Sequence, residues 1–157
     1  MIEYITKDLT TVTHGIVAHG CNCKGKMGAG VAKAIREKWP VAYEEYLDLL
    51  RHLYYNDISP LGVVGFVPVH RDFVSEIVVA NMLTQLNYGR EHIRYADPKA
   101  IKKATTLVVK RAVRDGLPVY MSKVGCNLGG LDWDTDVRPI IETIDAAHKC
   151  EIFICTN

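Results

Sequence analysis

The sequence has little that would send a chain out of a cell or into a membrane. Its first ten residues, MIEYITKDLT, hold no apolar signal core. No apolar run approaches the roughly 18 residues that cross a bilayer. A soluble, cytoplasmic protein is therefore expected, with no membrane partner. Charge of one sign is scarce as well. There are 19 basic and 18 acidic residues, a net charge of +1, and neither a basic arm nor an acidic tail. That speaks against long nucleic acid as the main ligand and leaves room for a local basic patch. Paired cysteines are missing too. The five cysteines are odd in number, and free thiols are the default in a chain without a signal. Cys21 and Cys23 form a C-x-C with no second spaced pair, so it is a poor zinc signature. Neither a metal nor a cofactor is expected.

Repeats, low-complexity tracts and linkers are also absent. What is present is 157 residues with 48% hydrophobic content, enough for one globular domain over residues 1–157. Apolar stretches of strand length alternate with segments of helical period. Strands are expected at Ile2 to Ile5, Gly15 to His19, Gly62 to Val67, Glu76 to Ala80, Leu117 to Val124 and Glu151 to Cys155. Helices are expected from Gly28 to Lys38, from Val41 to Leu53 after an interrupting Pro40, from Asp97-Pro98 to Gly116, and around Val137 to Ile144. Asp97 is a good N-cap with proline at the first helical position, and Gly116 is a good stop. Tyr88 to Tyr95 reads as loop. This alternation implies an α/β fold with helices on both faces of a sheet, and such sheets bind ligands beyond the strand ends.

Two strands run into glycine-rich loops. The first loop is Gly25-Lys-Met-Gly28-Ala-Gly30-Val31, ahead of a helix. Glycine admits close backbone approach, and the amides at a helix start favour an anion. The pattern is neither a Walker A loop nor a full dinucleotide fingerprint. Alone it reads equally well as a tight strand–helix turn. The second loop is Gly125-Cys-Asn-Leu-Gly129-Gly130, ahead of Leu-Asp-Trp133 and another helix. Two such loops in one small domain suit the two phosphates of a nucleotide diphosphate.

At these residues the sequence resembles a known family. His19-Gly-Cys-Asn22-Cys-Lys-Gly-Lys-Met-Gly28-Ala-Gly30-Val31-Ala32 is similar to the first signature of macro domains, above all the yeast-type ADP-ribose-1''-phosphate phosphatase branch. Tyr4 to Thr10 resembles the opening strand and Gly-Asp-x-Thr of the family, and Gly125 to Trp133 its second phosphate loop. Ala80 to Gln85 with Tyr88-Gly89 is similar to small stand-alone members, including phage ones. The resemblance spans nearly the whole chain. It implies a three-layer α/β/α macro domain with a central mixed sheet, and ADP-ribose or a derivative in a cleft at the sheet's end. For a phage-encoded member the compartment would be the host cytoplasm.

The resemblance also implies roles. Asp8, between Lys7 and Leu9, matches the acid that accepts from the adenine amine. Asn22, between Cys21 and Cys23, matches the asparagine facing the distal ribose. Met27, Gly28, Ala29, Gly30 and Val31 match one diphosphate loop, and Val124, Gly125, Cys126, Asn127, Leu128 and Gly129 the other. Each has a plainer reading: Asp8 as a turn cap, Asn22 as a turn asparagine, Trp133 as packing. Lys7 and Asn127 stand where the family usually has glycine.

For catalysis, His19 ends an apolar strand beside the ribose-facing loop and matches the histidine of the phosphatase branch. Histidine titrates in the range useful for acid–base work, although a core histidine held by a carbonyl fits the same position. Asp132, just past the second loop and nearer to it than Asp134, is a candidate to orient water or protonate a leaving group. It is equally suited to the start of a helix. The glycohydrolase branch needs a lysine and an aspartate. Gly129 stands at the aspartate position, and no lysine lies around Gln85. Three readings follow: a phosphatase acting on ADP-ribose-1''-phosphate, a hydrolase freeing ADP-ribose from protein, nucleic acid or an acetyl ester, and a non-catalytic ADP-ribose reader, the last two also admitting ADP-ribosylated macromolecules as partners.

Overall fold

The computed structural model describes residues 1–89, 91 and 93–157, with Asn127 described by its backbone alone. Arg90 and His92, inside the stretch expected as loop, and the Asn127 side chain lie outside the described residues.

Six strands form one mixed sheet. They are β1 (Ile2–Thr6), β2 (Gly15–Asn22), β3 (Val64–Arg71), β4 (Glu76–Gln85), β5 (Val119–Met121) and β6 (Ile152–Thr156), in the order β1-β6-β5-β2-β4-β3. Every neighbouring pair is parallel except β3 with β4, which form an antiparallel hairpin at one edge. The helices are α1 (Gly30–Lys38), α2 (Pro40–Tyr55), α3 (Pro98–Asp115) and α4 (Arg138–His148).

Central strands of a parallel sheet are buried on both faces, so they read as unbroken apolar runs. Residues 15–19 of β2 and 77–84 of β4 are all buried. Alternation along each strand then sorts side chains to opposite faces. Ile16, Ala18, Val78, Ala80 and Met82 pack with α3 and α4, while Val17, Val79 and Ile77 pack with Ile35 of α1 and Ala42 of α2.

Local capping chemistry sets several boundaries. Asp97 accepts from the Lys99 N–H at 2.9 Å, Pro98 follows as the first helical residue, and Gly116 ends α3 in the left-handed region at φ 67°. Pro40 does more than interrupt. It opens α2, and Trp39, non-helical at φ −129° and ψ 81°, separates the two helices.

Two expectations are corrected. The strand expected over Leu117 to Val124 is ordered only from Val119 to Met121, because the Val124 N–H bonds back to the Ser122 carbonyl at 2.7 Å and turns the chain into the loop. The last helix is preceded by a wide turn of five-residue spacing over Trp133–Val137. Among the described residues no helix is long and apolar enough to cross a membrane.

Candidate functional site

Strands β2 and β5 are parallel neighbours, with Ala18 opposite Met121, so the loops that follow them leave the same edge of the sheet. At that edge, beside the ends of β1, β5 and β6 and the start of α1, lies a cleft of about 410 Å³. Lys7, Asp8, Leu9, Gly30 and Val31 line it, together with Thr10, Ala34, Ile35, Ser122, Cys155 and Asn157. The structure thus brings five of the expected binding residues into one cavity. His19, Asn22 and Asp132 are not among its lining residues, and neither are Cys21, Cys23, Met27, Gly28 and Ala29 of the first loop or Val124, Gly125, Cys126, Leu128 and Gly129 of the second, to which Ser122 alone marks the approach.

The first loop is braced from α2. A register shift between Cys21 and Asn22 ends the β2–β4 pairing and redirects the chain. The Asn22 Oδ1 accepts from the Lys24 N–H at 2.9 Å and the Lys26 N–H at 3.4 Å, and its Nδ2 donates to the Lys26 carbonyl at 2.8 Å. The buried Tyr46 hydroxyl lies 2.7 Å from the Asn22 carbonyl and 2.9 Å from its Oδ1, and takes the Gly25 N–H at 3.1 Å. Tyr43 donates to the Gly25 carbonyl and Tyr54 to the Cys23 carbonyl. Asn22 is therefore the organiser of its own turn, with one Nδ2 hydrogen remaining. The side chains of Cys21, Cys23 and Met27 are buried beneath the loop. Burial pushes the Cys21 thiol well above its usual range and the Cys23 thiol up to about 11, so both are neutral. These three residues offer a ligand only their backbone.

Beyond that bracing, the N–H groups of Met27, Gly28 and Ala29 have no acceptor among the described residues. The first intrahelical bond of α1 is from the Lys33 N–H to the Ala29 carbonyl, which leaves the amides at the helix start without an intrahelical partner. Gly30 sits at φ 59° with open space where a Cβ would stand, and Gly28 also faces open space. Ala29 is half-buried between them, and Val31 is exposed. A run of unpaired backbone donors of this kind is suited to an anion.

The second loop is held by backbone. The Gly129 carbonyl accepts from the N–H groups of Tyr95 and Ala96 at 2.9 and 3.0 Å, and the Leu131 N–H closes onto the Gly125 carbonyl at 2.9 Å. Gly130, at φ 81°, would place a Cβ 2.2 Å from the Ile93 carbonyl oxygen, so no other residue fits there. Val124 is buried, Leu128 exposed, and the half-buried Cys126 thiol is raised to about 11, chiefly by burial. Asp132 caps the following turn: its Oδ2 accepts from the Thr135 N–H at 2.9 Å and hydroxyl at 2.8 Å. The Thr135 N–H in particular keeps the carboxyl below its ordinary pKa, so it is ionised near neutrality. Asp134 pairs with Arg138 at 3.4 Å.

His19 is fully buried. Its Nε2 is 2.6 Å from Asn81 Oδ1, on the facing residue of β4. Asn81 Nδ2 donates to the Ala42 carbonyl at 3.0 Å, so its Oδ1 is the acceptor and the imidazole proton resides on Nε2. Burial lowers the pKa to about 4, only partly opposed by the Asn81 bond. The ring is therefore neutral at neutral pH and does not reach solvent. Asp8 is exposed and caps the short turn Leu9–Thr11 through Oδ1, which accepts from the Thr10 N–H and hydroxyl at 2.9 and 2.8 Å. Those bonds, the N–H first, hold its pKa below the usual value. Its Oδ2 has no partner among the described residues, so the capping and ligand-facing roles are compatible. No three His, Cys, Asp or Glu side chains come together as a metal site among the described residues.

No family model matches the chain. Among curated proteins it is similar to enzymes named ADP-ribose 1''-phosphate phosphatase. The one from Debaryomyces hansenii is 44% identical over 109 residues, covering 62% of this chain and 61% of that protein. The one from Meyerozyma guilliermondii is 29% identical over 97 residues, covering 60% of this chain and 49% of that protein. In both cases less than two thirds of the relative is spanned. The Candida albicans enzyme is 25% identical over 157 residues, covering 94% and 96%. Among solved structures, a macrodomain protein from Streptomyces coelicolor is 26% identical with a TM-score of 0.79, covering 100% of this chain and 99% of that one. The macrodomain of Mycobacterium tuberculosis DarG superposes with a TM-score of 0.80 at 17% identity, covering 100% and 98%. Thermosipho africanus DarTG, in complex with ADP-ribose, gives 0.78 at 17% identity, covering 98% of this chain and 41% of that one. With six strands in mixed order, helices on both faces and near-complete superposition on these proteins, the chain has the macro domain fold.

Proposed function

We propose that residues 1–157 act as a single macro domain that binds ADP-ribose and hydrolyses ADP-ribose-1''-phosphate to ADP-ribose and phosphate. The observation that carries this reading is the pairing of two loops on neighbouring parallel strands beside one cleft of about 410 Å³ that runs to Asp8. The Asp8 Oδ2 would accept from the adenine amine. The amides from Met27 onward would take one side of the diphosphate and the Gly125–Gly129 loop the other, with the remaining Asn22 N–H toward the distal ribose. The similar yeast enzymes carry the phosphatase name. In the reaction, water adds to phosphorus, the bond from phosphorus to the ribose oxygen breaks, and that oxygen takes a proton. The chain's contribution would be positioning and stabilisation of the phosphate charge, with His19 as a positioning residue beneath the Asn22 turn. Five free cysteines suit a reducing compartment such as the cytoplasm.

The sealed, neutral His19 and the capping Asp132 favour a second reading, a reader that binds and does not turn over. A hydrolase for another ADP-ribose linkage, with ADP-ribosylated macromolecules as partners, shares the same cleft. Phosphate release from ADP-ribose-1''-phosphate, measured beside calorimetric titration with ADP-ribose, separates these readings. Binding with release supports the phosphatase. Binding without release leaves a reader or a different hydrolase. No binding removes the proposal altogether.

A further inference from the structure

The chain is nearly neutral as a whole, yet its charge is segregated. Helix α3 holds six of the 19 basic residues and one of the 18 acidic ones, so it carries a net five positive charges and the rest of the chain a net four negative. Its two arginines are engaged: Arg111 with Asp115 at 2.7 Å and over the Phe66 ring at 4.8 Å, and Arg114 with Asp115 at 2.9 Å. Its four lysines are not. Lys99, Lys102, Lys103 and Lys110 are exposed and make no ion pair among the described residues.

At 100° per residue these four positions share one face of the helix. They border a shallow depression of about 410 Å³, with Thr106 and Leu107 between them. The stem of Lys103 packs on the Gly62 turn, where a Cβ would lie 2.6 Å from its Cδ, so this lysine is partly pre-positioned. The row is about 16 Å long at 1.5 Å per residue. Its upper end adjoins the second glycine loop, because Tyr95 and Ala96, just before α3, bond to the Gly129 carbonyl.

We propose that this lysine face is a docking surface for the phosphodiester backbone of a nucleic acid, distinct from the ADP-ribose cleft. Flexible ammonium groups in a row suit a regular line of phosphates, and no acidic side chain of the helix interrupts them. Among the described residues, Leu107, 41% exposed, is the only large apolar one lining the depression, too little to anchor a lipid surface. Because binding is to the backbone, sequence preference is not expected.

The test is fluorescence anisotropy with a labelled 20-base-pair duplex across a salt series. Four neutralised phosphates give a log–log salt slope of about −3 to −4. The triple charge reversal Lys102→Glu, Lys103→Glu, Lys110→Glu should weaken binding by about tenfold or more at low salt, while the triple arginine version retains it. All three sites are exposed, so the variants should fold; ADP-ribose titration and thermal melting confirm this and report on the cleft separately. Duplex affinity unchanged by charge reversal, or no duplex binding by a wild-type protein that melts normally, overturns the proposal. So does binding to poly-glutamate or to anionic phosphatidylserine vesicles that equals binding to the duplex.

Discussion

The two glycine loops hold their shapes by different means. The loop after β2 is held by side chains reaching from another element, with Tyr46, Tyr43 and Tyr54 of α2 fixing Asn22, Gly25 and Cys23. The loop after β5 is held by main-chain bonds, from Tyr95 and Ala96 to the Gly129 carbonyl and from Leu131 to the Gly125 carbonyl, with Gly130 left-handed beside Ile93. The first therefore depends on hydroxyl groups that can be removed singly with little change in packing. The second tolerates almost no change at Gly125 and Gly130, whose φ values of 80° and 81° other residues resist. Similar sequence patterns thus conceal a tunable wall and a rigid one.

The sharpest break falls on the rigid wall. Gly130→Ala adds left-handed strain and a clash with the Ile93 carbonyl, and should cost about 3 kcal/mol or more. That is a fall of roughly 6–12 °C in Tm. A variant melting like the wild type would show that the loop is not backbone-locked.

Beneath the tunable wall, His19 gives a pH signature of similar size. Its folded pKa of about 4 lies below the ordinary value of 6.5, so the unfolded chain binds the proton first. Stability conferred by the neutral ring is complete above the unfolded value and is lost as pH falls from about 6.5 to about 4. The loss amounts to roughly 3 kcal/mol. Denaturant melts of wild type and His19→Gln across that window should diverge, with the variant flatter. The acids held low by hydrogen bonds, Asp8 and Asp132, lose their contribution only at lower pH.

Tyr46→Phe tests the bracing directly. Losing the hydroxyl leaves buried partners of the Asn22 turn unmatched and should cost about 1–2 kcal/mol. Ligand affinity should fall about fivefold or more through the disordered turn. Equal affinity would mean that the brace does not shape the site. Asp132→Ala should cost about 1 kcal/mol as a lost cap. If the carboxylate is only a cap, phosphate release is unaffected, whereas a fall of about 100-fold would place it in the chemistry.

What sequence reading reached and missed divides along the same line. Asp97-Pro98 and Gly116 were legible because capping is a local matter of one or two side chains, and the apolar runs of β2 and β4 were legible because both faces are buried. The length of β5 was not, since the turn at Ser122 to Val124 is decided by the loop that follows. Nor was the role of Tyr46, which lies 24 residues from its partner Asn22. The spacing of Tyr43, Tyr46 and Tyr54 along one helix was the available signal, but such a stripe reads as packing until its hydroxyl partners are known. His19 reads from the sequence as the end of its strand, but β2 runs on to Asn22, so the ring is internal to the sheet and its Nε2 meets Asn81 of β4, whose amide is fixed by the Ala42 carbonyl.

The most direct test of the central claim, that ADP-ribose sits with its diphosphate against the bare amides of the first loop, is calorimetric titration of wild type and Gly28→Ala. An alanine methyl at this position meets nothing within 4 Å in the protein, so stability should change by less than about 0.5 kcal/mol. The methyl would stand where the phosphate approaches. Wild type should bind ADP-ribose, and Gly28→Ala should bind about tenfold more weakly or worse at an unchanged Tm. A wild type that does not bind, or a variant that binds equally well, would contradict the claim.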